Sequence, residues 1–179
     1  MEEATLLSLP VGDRDHVQGD AGAILTLLEY GDYQCPHCAQ AHPIVKAVQE
    51  RFGDKLRFVF RNFPLKNVHP QAEFAAEAAE AAGAQGRFWE MHDGIFEHQS
   101  RLGEPFLLEL AGKLKLDAHR FAADLASGSF RKRVDEDFMS GVRSGVSGTP
   151  GFFIDGVKYE ESWDFETLSE VLEGVLDGA

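Results

Sequence analysis

The sequence predicts an α/β fold in which a βαβ unit and a closing ββα unit are separated by an inserted all-helical subdomain. Three observations lead there. Two short apolar runs, at 24–30 and 56–63, flank a stretch of helical periodicity at 39–52. Residues 69–144 carry only helical signals, too many for one ordinary crossover. The chain then returns to strand at 151–154, and Asp155-Gly156 marks a two-residue hairpin.

Taken in order, the run ILTLLEY at 24–30 is short and almost continuously apolar, as a buried strand is. Apolar Ala41, Ile44, Val45 and Val48 follow at helical spacing, and Gly53 stops that helix. In the strand at 56–63, Leu56, Phe58 and Phe60 alternate with Arg57, Val59 and Arg61, which predicts one more polar face. Two strands joined by a helix make a right-handed βαβ connection. Pro70 suits a first helical turn, and 71–82 is rich in the strong helix formers Ala and Glu. Further helices are expected at 88–98, 105–114, 117–126 and 129–142, with Asp117 and Ser129 as N-caps. The return strand at 157–160 and an amphipathic helix at 164–176 complete the chain. This order places a core domain at 14–66 and 146–179 and the helical insert at 67–145.

Composition narrows the function. A chain of 179 residues suits one domain with an insert, and 44% hydrophobic content is ordinary for a globular protein. A net charge of −13 disfavours nucleic acid as a partner. The basic run Arg131-Lys132-Arg133 meets Asp135, Glu136 and Asp137 at once and reads as a solvated helix face. No apolar run approaches the ~20 residues of a membrane span. The acidic start Met1-Glu2-Glu3 is unlike a secretory signal, so a cytoplasmic protein is expected, or an extracytoplasmic one if a longer precursor was trimmed. Trp89, Trp163 and the 14 Phe are expected in the core, and His16, His98 and His119 at the surface or in caps.

The chemistry lies in the two cysteines, Cys35-Pro36-His37-Cys38. They fall between a strand end and a helix start, where main-chain N–H groups and the helix dipole stabilise an anion. A thiolate there has a lowered pKa, and Cys38, one turn on, can close a disulfide with it. Pro36 fits the first turn, and His37 can place a donor or positive charge beside the thiolate. The pattern points to thiol–disulfide exchange through a mixed disulfide, with Cys35 attacking and Cys38 resolving. Two other readings stay open. The pair can be structural, or Cys35, Cys38 and His42 can share a helix face and hold zinc or an iron–sulfur centre with His69 or His92.

With this element order and the CPHC tetrapeptide, the chain resembles the DsbA family of thioredoxin-fold oxidoreductases over nearly its whole length. Pro43, within the helix, matches a proline typical of thioredoxin-like proteins. The segments Arg61-Asn62-Phe63-Pro64-Leu65, His69-Pro70 and Gln85-Gly86-Arg87-Phe88-Trp89-Glu90-Met91-His92 are similar to the bacterial branch with inserted helices. The resemblance implies that Glu29 is the buried acid that exchanges a proton with Cys38. It also implies that Gly148, Thr149 and Pro150 form a loop with a cis proline that faces the disulfide. This loop would bind the substrate's extended backbone. Thr149 departs from the Val usual there.

The expected activity is therefore a protein disulfide oxidoreductase acting on protein or peptide thiols and disulfides. Protein or glutathione would recycle it, with no cofactor, resident metal or membrane insertion. A metal-binding regulatory module and a thioredoxin-fold chaperone are the alternatives.

Overall fold

A computed structural model describes residues 3–179. They form two compact units. One takes the chain up to Gly31 together with Gln40–Arg61 and Met139–Ala179; the other takes Asp32–Ala39 and Asn62–Phe138.

The first unit is built on a five-stranded sheet of order β1-β3-β2-β4-β5. Its strands are β1 (His16–Gln18), β2 (Leu25–Gly31), β3 (Leu56–Asn62), β4 (Gly151–Ile154) and β5 (Val157–Tyr159). Helix α1 (Pro36–Phe52) connects β2 to β3 and starts in the second unit. In β2, Leu25, Leu27, Leu28 and Tyr30 are all buried, as a central strand covered on both faces requires. The strand extends through Gly31, where a Cβ would lie 2.4 Å from the Phe60 ring, so only glycine lets β2 and β3 meet there. Strand β4 pairs antiparallel with β2, placing Glu29 opposite Phe152. The β4–β5 hairpin turns on Asp155 and Gly156, both at positive φ (48° and 83°), as its two-residue turn demands. Helix α7 (Phe165–Asp177) is capped by Asp164, whose carboxylate accepts the Thr167 N–H at 3.0 Å. The N-terminal segment is pinned to the free side of β5, with Leu7 N–H on the Gly156 carbonyl and Lys158 N–H on the Thr5 carbonyl, both at 2.8 Å.

The second unit is helical: α2 (Ala72–Gly83), α3 (Phe88–Glu97), α4 (Glu104–Lys113), α5 (Ala118–Ser127) and the first part of α6 (Arg131–Arg143). Helix α2 is buried nearly all round, and its run of alanines lets α3 and α5 pack closely. Asp117 caps α5 by accepting the Arg120 N–H. Among the described residues no helix is long and apolar enough to cross a membrane.

Several expectations need correction. Ser129 does not cap α6, which starts two residues later; its hydroxyl instead meets Ser127 Oγ at 2.7 Å. Arg61 does not lie on a polar strand face. It is fully buried, bonded twice to Asp15. Likewise, the charges around 131–137 are not all solvated. Arg133 turns inward to Glu80 and Asp137, and the Asp137 carboxylate, fully buried, accepts the Asn62 main-chain and side-chain N–H groups. Trp89 and Trp163 are only half-buried, whereas Phe58, Phe60, Phe121 and Phe153 do fill the core.

Candidate active site

The loop from β2 into α1 is organised by a residue that motif reasoning missed. Asp32 is buried, and its Oδ1 accepts the main-chain N–H groups of Gln34 (2.7 Å) and Cys35 (3.0 Å). Its Oδ2 accepts the Leu65 N–H (2.9 Å) and bonds His69 Nδ1 (2.8 Å). Asp32 lies ahead of the N-cap position of α1, and its Oδ1 closes an Asx-type turn onto amides two and three residues on. The rest of the loop is held in the same way. Gln34 Oε1 accepts the Gln71 N–H at 2.7 Å, and the Tyr33 hydroxyl bonds His92 Nδ1 at 2.9 Å.

Cys35 and Cys38 are both buried. The Asp32 main-chain N–H points at Cys38 Sγ, 3.5 Å away. The first intrahelical bond of α1 runs from Ala39 N–H to the Cys35 carbonyl, so the amides of the first turn precede the helical ladder. Pro36 has no N–H, and the Cys35 amide is taken up by Asp32. Stabilisation of a Cys35 thiolate therefore falls to the first-turn amides beyond Pro36 and to the helix dipole. Pro36 and His37 are exposed. Pro43 lies inside α1, where it removes one helical N–H donor.

The residues expected to act together divide between the two units. Cys35, Pro36, His37 and Cys38 belong to the helical unit, which also takes up 32–39 and begins its long segment at Asn62 rather than 67. Glu29, Gly148, Thr149 and Pro150 belong to the sheet unit. Glu29 is buried at 3% exposure within β2, and the Thr149–Pro150 peptide bond is cis. His69 and His92, either of which could supply the fourth ligand in the metal reading, each have one ring nitrogen committed, to Asp32 and Tyr33 respectively.

With the strand–loop–helix arrangement in place, the comparison with known proteins becomes decisive. Residues 12–174 match the family described as Thioredoxin. The chain belongs to the thioredoxin family. Within it, this thioredoxin-family chain is similar to Na(+)/H(+) antiporter NhaA 1 of Salinispora arenicola, 46% identical over 173 residues, or 96% of this chain and 26% of that protein. It is also similar to Na(+)/H(+) antiporter NhaA of Herminiimonas arsenicoxydans, 42% identical over 92% of this chain and 26% of the other. The chain thus spans about a quarter of the length of the curated relatives it matches. Among solved structures it is similar to BdbD from Bacillus subtilis, with TM-score 0.85, 23% identity and coverage of 98% and 100% of the two chains. Wolbachia pipientis alpha-DsbA1 follows at TM-score 0.80 and 21% identity, covering 94% and 93%. The catalytic domain of Proteus mirabilis ScsC stands at 0.75 and 18%, covering 89% and 88%. These structures share the thioredoxin fold with its inserted helices.

Proposed function

We propose that the chain is a thiol–disulfide oxidoreductase acting on cysteines of protein or peptide substrates. The observation that carries this reading is the pair itself. Cys35 sits immediately before the first turn of α1, and Cys38 follows one turn on, with a main-chain donor aimed at its sulfur. In the oxidising direction a substrate thiolate attacks Cys35 Sγ of the Cys35–Cys38 disulfide. The intramolecular S–S bond breaks, a mixed disulfide forms, and Cys38 leaves as a thiolate that takes a proton. A second substrate thiolate then attacks the substrate sulfur, forming the substrate disulfide and releasing Cys35. Two electrons pass from the substrate dithiol to the protein. The reverse sequence reduces a substrate. Glu29 is the proposed proton partner of Cys38, and Gly148, Thr149 and Pro150 the proposed binding loop for extended substrate backbone.

The test is a thiol-exchange assay on a dithiol peptide and on a disulfide substrate. Cys35→Ser is expected to abolish turnover, and full activity in that variant refutes the reading.

A second reading, which concerns the client, is favoured by the sequence relatives. Identity is far higher to stretches of proteins named Na(+)/H(+) antiporters than to the solved structures. This similarity supports an ion antiporter as a candidate client whose cysteines the chain would exchange. Cys38→Ser, which cannot resolve a mixed disulfide, should then capture antiporter polypeptide through Cys35 in membranes of the source cell. Capture of other clients alone refutes it.

A further inference from the structure

The N-terminal segment, the starts of β2 and β3 and the β4–β5 turn line a cleft of about 460 Å³. All of the lining belongs to the sheet unit. One wall is apolar and includes Leu7, Pro10 and Val11. It is held from two sides. The Leu7 N–H bonds the Gly156 carbonyl at 2.8 Å, and the buried Arg61 guanidinium donates to the carbonyls of Leu9 and Pro10. A wall pinned before a ligand arrives costs little ordering when one binds.

The rest of the cleft carries two opposite charges, Arg57 and Asp155, the only charged side chains of the described lining. Both are tied to one residue. Arg57 Nε donates to Thr26 Oγ1 at 2.8 Å, and Asp155 Oδ1 accepts the Thr26 main-chain N–H at 2.8 Å. Arg57 Nη1 reaches the Ala21 carbonyl only at 3.5 Å. Among the described residues neither charge forms an ion pair, with the other or with a third group. The guanidinium therefore keeps Nη2, and the carboxylate Oδ2, for a ligand.

Opposite charges on either side of a single residue, beside an apolar wall, match the pattern of a free amino acid. Its ammonium and carboxylate share one carbon, and that carbon bears the side chain. We propose that this cleft binds a free α-amino acid with an apolar side chain. The carboxylate takes the Arg57 fork, the ammonium takes Asp155, and the side chain lies against Leu7, Pro10 and Val11. The site shares no residue with the cysteine loop and does not depend on Cys35 and Cys38 being a redox pair.

The test titrates the whole chain, followed by amide NMR shifts, with L-leucine and three analogues that each lack one feature. N-acetyl-L-leucine has no ammonium, L-leucinamide no carboxylate and glycine no side chain. L-Leucine is expected to give saturable shifts at the cleft, and each analogue to bind at least about tenfold more weakly. Two variants then cross with the analogues. Arg57→Gln keeps a donor for Thr26 Oγ1, and is expected to lose the preference for L-leucine over L-leucinamide while keeping that over N-acetyl-L-leucine. Asp155→Asn keeps an acceptor for the Thr26 N–H and tolerates the positive φ there (48°), and is expected to do the reverse. No saturable shift by about 10 mM L-leucine overturns the proposal. Equal binding of L-leucine and either singly charged analogue by the wild type overturns it too, because the matching charge is then not read. Variants that keep both preferences do the same. The wild-type series decides alone if a variant does not fold.

Discussion

Gln99 Nε2 donates to the carbonyl of Cys35 and to that of Tyr33, both at 2.9 Å. The Cys35 carbonyl also accepts the first helical bond of α1, from Ala39 N–H at 3.1 Å. The short 3-10 turn after α3 thus holds the segment that carries the nucleophile from the carbonyl side, while Asp32 holds it from the amide side. Gln99→Ala is expected to cost about 1–3 kcal/mol in urea denaturation, because two partly buried carbonyls each lose a donor. Its exchange rate with a dithiol peptide should fall as the loop loosens. Gln99→Glu should be worse than Gln99→Ala, since a carboxylate would face two carbonyl oxygens. Equal stability of Gln99→Ala and the parent would show that the clamp adds nothing.

The sheet unit depends on a buried ion pair. Arg61 Nε meets Asp15 Oδ1 at 2.8 Å and Nη2 meets Oδ2 at 2.9 Å, with both side chains fully buried. The remaining guanidinium donors reach the Leu9 and Pro10 carbonyls and the Tyr30 hydroxyl. This ties the N-terminal segment to the strand interior. Arg61→Ala leaves Asp15 as an uncompensated buried charge and is expected to lose about 3–5 kcal/mol of stability. The double change Arg61→Met with Asp15→Ala should recover part of that loss. A double variant as unstable as the single one would contradict this account of the pair.

Glu77, buried on α2, has a carboxyl pushed above the usual carboxylate range by burial, with Arg131 working against the shift. Because the folded state holds this proton more tightly than the unfolded chain, Glu77 lowers stability as the pH rises above the ordinary carboxylate range. Glu77→Gln is expected to raise the melting temperature at about pH 7 and to lose that advantage at about pH 4, where the unfolded chain also becomes protonated. Thermal melts of both proteins across this range measure it. An advantage that grows on acidification would reverse the sign and refute the argument.

How far the sequence reached can be read from individual residues. The apolar runs behind β2 and β3 and the Asp155-Gly156 turn were legible because each is a local signal with a local cause. The three-residue β1 was not, since His16, Val17 and Gln18 pair with β3 through register alone. The burial of Arg61 and Asp137 and the inward turn of Arg133 were also hidden. Each is neutralised by a partner far away in sequence or by one of several neighbours, and periodicity does not encode that choice. The site was legible at Cys35 and Cys38 and incomplete around them. Asp32 was missed, because its bonds to Leu65 and His69 come from another segment. Gln99 gave no signal, because a lone glutamine in a turn has no pattern to read.

The central claim is that Cys35 and Cys38 form one redox couple with Cys35 as the nucleophile. The most direct measurement is mass spectrometry of the protein after stoichiometric reaction with a single-disulfide peptide. The reduced wild type should release the reduced peptide and be left two mass units lighter, as the intramolecular disulfide. Cys38→Ser should stop at a covalent adduct through Cys35, and Cys35→Ser should form no adduct at a comparable rate. A Cys35→Ser protein that reacts as fast as the wild type, or a Cys38→Ser protein that turns over freely, would contradict the claim.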